Sequence, residues 1–338
     1  MRLLDQLKQQ GFLSLTKSHP EAMNQACGEQ LQQGVKYQLL DTGVLKFEPQ
    51  APCDYDLVVS SGVHGNETAP IEIIDTLVQA ILSGEITVRC RLLLIIGNPP
   101  AMLQSKRFVD ENMNRLFNGL HKGKQHPEAE RAARLESYMR DFFIQGGEQK
   151  QRLHYDLHTA IRGSKYKKFA IYPYSDGRPW NKQQLRWLKA SGIEAVLLGH
   201  QPSGTFSYFS SHRFGADAFT LELGQVKPFG ANDLTEFKAI TANLSALITA
   251  LPIDLPEYSG SCLKLFQVKH ELIKQSEQFT LNIDDDVKNF TDFSAGFQLT
   301  QDIDGGYKVH KSGEAIVFPN ARVPIGQRAG LVVSETQL

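Results

Sequence analysis

Cysteine is scarce in this chain: Cys27, Cys53, Cys90 and Cys262 are the four among 338 residues. No two form a CxxC pair, and four scattered thiols do not make the disulfide framework of a secreted scaffold. They read as core or surface thiols in a reducing cytoplasm, and they argue against zinc held by cysteines. A basic excess is also missing. Lys plus Arg (36) and Asp plus Glu (37) nearly cancel, leaving a formal net charge of −1. A protein that binds nucleic acid by neutralising phosphates shows a basic excess or patch. Long apolar runs are absent too. The longest, such as LLLIIG at 92–97, have the length of a buried strand, not the roughly 20 residues that cross a bilayer. The N-terminal MRLLDQLKQQ carries neither an apolar signal segment nor a small-residue cleavage site. The expected setting is cytoplasmic, with no nucleic-acid or membrane partner. Repeats and low-complexity tracts are lacking.

What is present is the balance of an ordinary globular protein, 41% hydrophobic and 22% charged. The length suits a large domain with a smaller companion. Residues 1–35 read as polar helix. KYQLL and VLKFE flank the turn signal DTG and predict a hairpin. DYDLVVSSGVHG predicts a buried strand running into a Gly-bounded loop, and APIEIIDTLVQAILSG a helix with Pro near its first turn. RCRLLLIIG is a second buried strand, ended by NPP. The stretch HPEAERAARLESYMRDFFIQ is helical. RLHYDLH and KKFAIYPY are strands, and NKQQLRWLKASG is a helix closed by Gly. EAVLLGH and DAFTLELG are strands, and NDLTEFKAITANLSALITAL is a long amphipathic helix. This alternation predicts an α/β fold with helices on both faces of a sheet. Beyond the Pro-rich LPIDLPEYSG, the short segments CLKLFQVKHELIK, EQFTLNI, YKVHK and AIVFP predict a small β-rich domain. The expected division is 1–254 and 255–338.

Chemistry concentrates at strand ends. SSGVHGNETAP carries His64 and Glu67, an H-x-x-E pair on a loop. Gly62 and Gly65 allow that loop tight turns. Two His and one carboxylate hold a hydrolytic zinc while leaving a fourth position for water. The third ligand is sought at a distant strand exit, where ligands of open α/β sheets collect. His158 of HYDLHTA is preferred there. His154 shares its strand face and competes. His121 and His126, in a Lys-rich segment, read as solvated surface. Glu222 of TLELGQ ends another buried strand, where a carboxylate is placed to act as general base toward metal-bound water. Arg107, Asn114 and Arg115, in KRFVDENMNRLF, read on their own as surface ion-pairing and turn residues.

In order, GVHGNE, R-x6-N-R, DLH and LELG resemble the zinc carboxypeptidase-like deacylases, the aspartoacylase/succinylglutamate desuccinylase family. No single member of this four-part set is specific; the ordered set is. The motifs span about 60 to 225, and the length and two-part layout extend the likeness to the whole chain. The resemblance implies a zinc carboxypeptidase-like mixed sheet flanked by helices, and one zinc per chain held by His64, Glu67 and His158. It also implies Glu222 as general base and Arg107 as the group that polarises the scissile carbonyl. Asn114 and Arg115 would grip a substrate carboxylate, a task suited to a planar guanidinium. The implied reaction is amide hydrolysis of N2-succinyl-L-glutamate in arginine catabolism. Its rivals are another N-acyl amino acid such as N-acetylaspartate, a peptide C-terminus, or non-catalytic zinc binding. The expected partner is a small polyanion, with a homo-oligomer left open. Lys165, Lys167 and Lys168 are candidates for local positive charge. The pattern departs from aspartoacylase in SYFSSHRFGADAF, with Tyr208, His212 and Arg213, and around AIVFPNARVP, where no Tyr stands.

Overall fold

A computed structural model of the chain describes residues 3–21, 26–27, 30–31, 34–257 and 263–338. The side chain of Cys27 and all of Cys262 lie outside the described residues, while Cys53 and Cys90 are free thiols. Two short helices, α1 (Leu3–Gln10) and α2 (Phe12–Ser18), open the chain. They break at Gly11, whose φ of +83° is left-handed, and α2 ends at Ser18, with strand at Ala26–Cys27 inside the stretch expected to be helix. The elements that follow are β1 (Ala26–Cys27), β2 (Lys36–Asp41), β3 (Val44–Glu48), β4 (Tyr55–Ser61), α3 (Thr68–Ser83) and β5 (Arg91–Ile96). Next come α4 (Pro99–Leu103), α5 (Pro127–Gly146), β6 (Gln151–Ala160), β7 (Phe169–Tyr172), α6 (Lys182–Ala190) and β8 (Ala195–Leu198). The first part closes with α7 (Phe206–Phe214), β9 (Asp217–Gln225) and α8 (Lys238–Ile248). The C-terminal part is all β: β10 (Lys264–Ile273), β11 (Thr280–Leu281), β12 (Thr291–Phe293), β13 (Thr300–Gln301), β14 (Glu314–Val317) and β15 (Arg328–Thr336).

Among the described residues, thirteen strands make one mixed sheet in the order β1-β2-β3-β5-β4-β6-β9-β7-β8-β10-β15-β14-β12. The apolar runs sit at its centre because they are covered on both faces. Every residue of β5 is buried, as is all of β4 after Tyr55. β4 runs parallel to β5 and β6, and β6 parallel to β9. β9 is antiparallel to β7, which makes the sheet mixed. One face packs Leu77 and Val78 of α3, Leu185 of α6 and Leu244 of α8 into the larger core. The other face packs Ala132 and Met139 of α5 against Phe206 and Phe209 of α7.

The C-terminal strands extend this sheet instead of hanging apart from it. β10 pairs in parallel with β8, Ala195 opposite Lys264 through Leu198 opposite Gln267. A third apolar cluster joins Phe169, Ala195 and Leu197 to Phe266, Phe290, Val317 and Leu331.

Several local expectations change. NPP does end a strand, but its prolines also begin α4. Asn98 caps that helix, accepting from Ala101 N at 3.3 Å, and Pro suits a first helical turn. Helix α7 was not expected from SYFSSHRF. Phe206 through Ser211 are all buried, so the apolar periodicity that announces a surface helix is missing. YKVHK contributes only an isolated bridge at Lys308. The nine-residue β15 was not anticipated either, although Leu331, Val332 and Val333 offer an apolar run.

Candidate metal centre

β4 delivers its loop through Gly62, whose φ of +62° is left-handed. Gly65 is required for another reason: a Cβ there would overlap the backbone of Ala101 and Met102. The turn brings His64 inward and leaves Glu67 at the N-cap of α3. β6 supplies His158 from its exit, and in the parallel register His158 lies opposite Glu222 of β9. Three chain segments thus meet at the carboxyl edge of the sheet.

His64, Glu67 and His158 offer ligand atoms that all lie within 4.8 Å of one another, and all three are buried. The two carboxylate oxygens of Glu67 face one imidazole each, His64 Nδ1 at 2.8 Å and His158 Nδ1 at 2.9 Å. Thr159 N and Arg107 Nη1 also donate to Glu67, at 3.0 and 2.6 Å. The far nitrogens are held from outside. His64 Nε2 meets Asn112 Oδ1 at 2.9 Å, and His158 Nε2 meets Asp156 Oδ2 at 2.8 Å. Asn112 Oδ1 also accepts from Asn114 N at 3.0 Å, which sets the amide orientation. Each outer acceptor places the ring proton on Nε2, leaving Nδ1 free to coordinate. Two imidazoles and a carboxylate with such outer supports are the donor set of a three-ligand catalytic metal site.

Electrostatics agree with the geometry. Burial depresses the His64 pKa to about 4, so its ring is neutral. Burial also works against charge on His158, but Asp156 and Glu67 outweigh it and hold its pKa well above the ordinary value. A cation at this point would displace that proton, since ligands bind deprotonated. Burial opposes the charge of Glu67, yet His64 and His158 keep its carboxyl well below the usual range. Glu222 behaves differently. Burial, then the charge of Glu67, raise it to about 7, and its Oε2 is buried without a hydrogen-bond partner.

His64, His158 and Glu222 line a cavity of about 1140 Å³ that is also walled by Arg107, Asn114 and Arg115. Its far wall comes from the C-terminal strands and loops, including Glu271, Asn320 and Arg328. Asn114 spends its carbonyl on Phe206 N, at 2.9 Å, which starts α7 and leaves only its amide NH2 for a ligand. Arg115 donates to Asn114 O at 2.8 Å and has no ion-pair partner among the described residues. It lines the cavity and is exposed there to solvent. The surrounding protein, then the charges of Arg328 and Arg107, lower its pKa to about 10.

Other candidates fall away from the cavity. His154 is buried and hydrogen-bonded to Ser60 Oγ at 2.8 Å and Ser210 Oγ at 2.7 Å. His121 and His126 are not solvated surface. His121 packs against Leu116 O and Glu136. His126 caps α5 through Ala129 N and pairs with Glu111 at 3.2 Å. Lys165 pairs with Asp292, Lys167 with Glu236 at 2.9 Å, and Lys168 with the Glu236 carbonyl, so their charge is used outside the cavity. Tyr208 and His212 share Asp176, and Arg213 donates to Asn118. Sequence reasoning missed Asn112 and Asp156, the residues that orient the two imidazoles. Asp156 had a signal, since a residue two before His158 shares its strand face. Asn112 had none.

A profile of the succinylglutamate desuccinylase/aspartoacylase catalytic domain matches residues 53–248, more than half of the chain. The chain belongs to this family. A second profile, the AstE/AspA barrel-sandwich hybrid domain, matches residues 261–336. The succinylglutamate desuccinylase of Shewanella piezotolerans is 45% identical over 336 residues, covering 98% of this chain and 97% of that protein. The crystal structure of succinylglutamate desuccinylase from Chromobacterium violaceum superposes with a TM-score of 0.86 at 42% identity, covering 97% and 98% of the two chains. The Vibrio parahaemolyticus structure of the same name gives 0.89 at 36% identity, covering 98% and 96%. Murine aminoacylase 3, at 16% identity and a TM-score of 0.55, covering 86% and 97% of the two chains, shares the fold.

Proposed function

We propose that this desuccinylase-family chain hydrolyses the amide bond of N2-succinyl-L-glutamate to succinate and L-glutamate, with one zinc ion held by His64, Glu67 and His158. The observation that carries the reading is the convergence of those three donors beside an unpartnered oxygen of Glu222, on the wall of an arginine-lined cavity. Relatives named succinylglutamate desuccinylase, similar over almost the whole chain, favour this substrate. A bound zinc supplies Lewis acidity for the carbonyl and lowers the pKa of a water toward about 7.

The chain's own groups do the rest. Glu222, buried with an unpartnered oxygen at the edge of the donor set, accepts the proton of the attacking water and returns it to the leaving amine. Arg107 reaches Glu67 from the cavity side, and its second arm opposes the charge that gathers on the carbonyl oxygen. Arg115 and the Asn114 amide bind a substrate carboxylate through charge-assisted hydrogen bonds. A substrate with three carboxylates suits a cavity holding several guanidiniums better than a neutral peptide does.

The division into a catalytic part (1–254) and a β-rich cap (255–338), a cytoplasmic setting and a place in arginine catabolism belong to the same reading. The test is direct assay with N2-succinylglutamate and N-acetylaspartate. Strong preference for the succinyl substrate is expected, and equal or better turnover of N-acetylaspartate would overturn the assignment.

A further inference from the structure

The C-terminal strands place a guanidinium in the cavity that the four motifs do not include. Arg328 opens β15, opposite Ile273 of β10 and beside the register shift between Leu272 and Ile273. Its Nη1 reaches Glu271 Oε1 at 3.3 Å, and that carboxylate is shared with His200 Nε2 at 3.4 Å. No other hydrogen bond to the Arg328 guanidinium is made among the described residues, so one arm is tethered in a residue that lines the cavity. Arg115, which has no acidic partner among the described residues, lines the same cavity. Two like charges held near each other in a walled cavity repel, and an anion bound between them relieves that repulsion. The loop between β8 and α7 connects the two arginines: His200 meets the Glu271 carboxylate that tethers Arg328, and Gly204 lies against the Arg115 carbonyl. Arg328 is therefore placed at the Arg115 end of the cavity.

Resting on the reading of the cavity as an N-acyl amino acid site, we propose that Arg328 is a specificity-determining residue that binds the side-chain carboxylate of the amino acid while Arg115 binds its α-carboxylate. The two carboxylates of one glutamate are a few bonds apart and need two neighbouring cations. The acyl group lies on the opposite side of the amide. Substrate selection is thereby shared between the catalytic part and the β-rich part, and the latter contributes chemistry as well as a wall.

The experiment measures kcat/KM on N-succinyl-L-glutamate and on N-succinyl-L-glutamine, its neutral amide counterpart, for the wild-type protein, Arg328→Gln and Arg328→Lys. Wild type should prefer the glutamate substrate by about tenfold or more, the value of a charge-assisted contact. In Arg328→Gln, turnover of the glutamate substrate should fall on the order of 10- to 100-fold while the glutamine substrate changes little, so the ratio collapses. Equal losses on both substrates would reduce Arg328 to a structural partner of Glu271 and overturn the proposal. A wild-type ratio near one would do the same. Should the Gln variant not fold, Arg328→Lys keeps a cation beside Glu271 and loses the planar fork. An unchanged ratio in that variant overturns the proposal, and a reduced one supports it. Absence of wild-type turnover on both substrates is a separate failure, that of the hydrolase assignment.

Discussion

His154 and His158 stand on one face of β6, both shut off from solvent, yet their rings are partnered differently. His154 meets two hydroxyls, Ser60 and Ser210, and burial lowers its pKa to about 4. It is a neutral, satisfied core residue. His158 meets two carboxylates, Asp156 and Glu67, which favour positive charge at that point. The same contrast holds for two arginines. Arg131 and Arg115 are both lowered to about 10, in each case first by the surrounding protein, although only Arg131 is shut off from solvent. Arg131 is saturated: it donates to Asp41 Oδ2 and to the carbonyls of Gly97, Thr42 and Ile96 at 2.8–3.1 Å. Arg115 has one carbonyl and no acid. Burial alone therefore does not mark a functional group. A buried group whose bonding capacity the protein leaves open, or fills with groups suited to a metal, is held for something that comes from outside.

The sharpest way to break this contrast is to remove the metal. Dialysis against a chelator, or His158→Ala, should abolish activity and leave less than one metal per chain by elemental analysis. His154→Ala should keep metal and lose stability instead. Activity that survives chelation would end the metal assignment. Next, Glu222→Gln should retain metal and lose about 10²- to 10⁴-fold in kcat, the range of general acid–base catalysis. Retained activity would move the base elsewhere.

Arg131→Met should then lower unfolding stability by about 3–5 kcal/mol, because it strands the buried carbonyls that Arg131 serves and removes the buried partner of an Asp41 that keeps Arg134 and Tyr138. Arg115→Met should leave the melting temperature nearly unchanged and lower kcat/KM by on the order of 10- to 100-fold. Equal stability losses in the two variants would erase the distinction. The smallest effect is a pH shift. Glu222 accepts a proton only as the carboxylate, so the rate falls as pH drops through its pKa. That value is about 7 before a cation is bound, and a dication lowers it further. An acid limb of kcat/KM lying above about pH 8 would exclude Glu222 as the base.

Much of the scaffold was legible along the chain. Runs such as LVVSS and LLLII are all apolar or small because both sheet faces are covered, and the hairpin around Asp41 and Gly43 carries its own turn chemistry. Helix α7 was not legible, since burial on nearly every side removed its periodicity. The same limit affected His121 and His126. A Lys-rich neighbourhood suggested solvent, but α5 and Glu136 fold back over that segment.

For the site, short spacing and strand exits, which are local properties, pointed to His64, Glu67, His158 and Glu222 as candidates, while Arg107 entered only through the family resemblance. Alternation puts His154 and His158 on one face, so the preference for His158 rested on its place at the strand exit alone. The physical distinction between them lies in what neighbouring strands and loops bring up to each ring: hydroxyls from β4 and α7 at one, carboxylates from the N-cap of α3 and from β6 at the other. Asn112, Glu271 and Arg328 entered in the same way. Their roles come from contacts between segments far apart in the chain, and such contacts exist only once the sheet has assembled and the C-terminal strands have extended its edge.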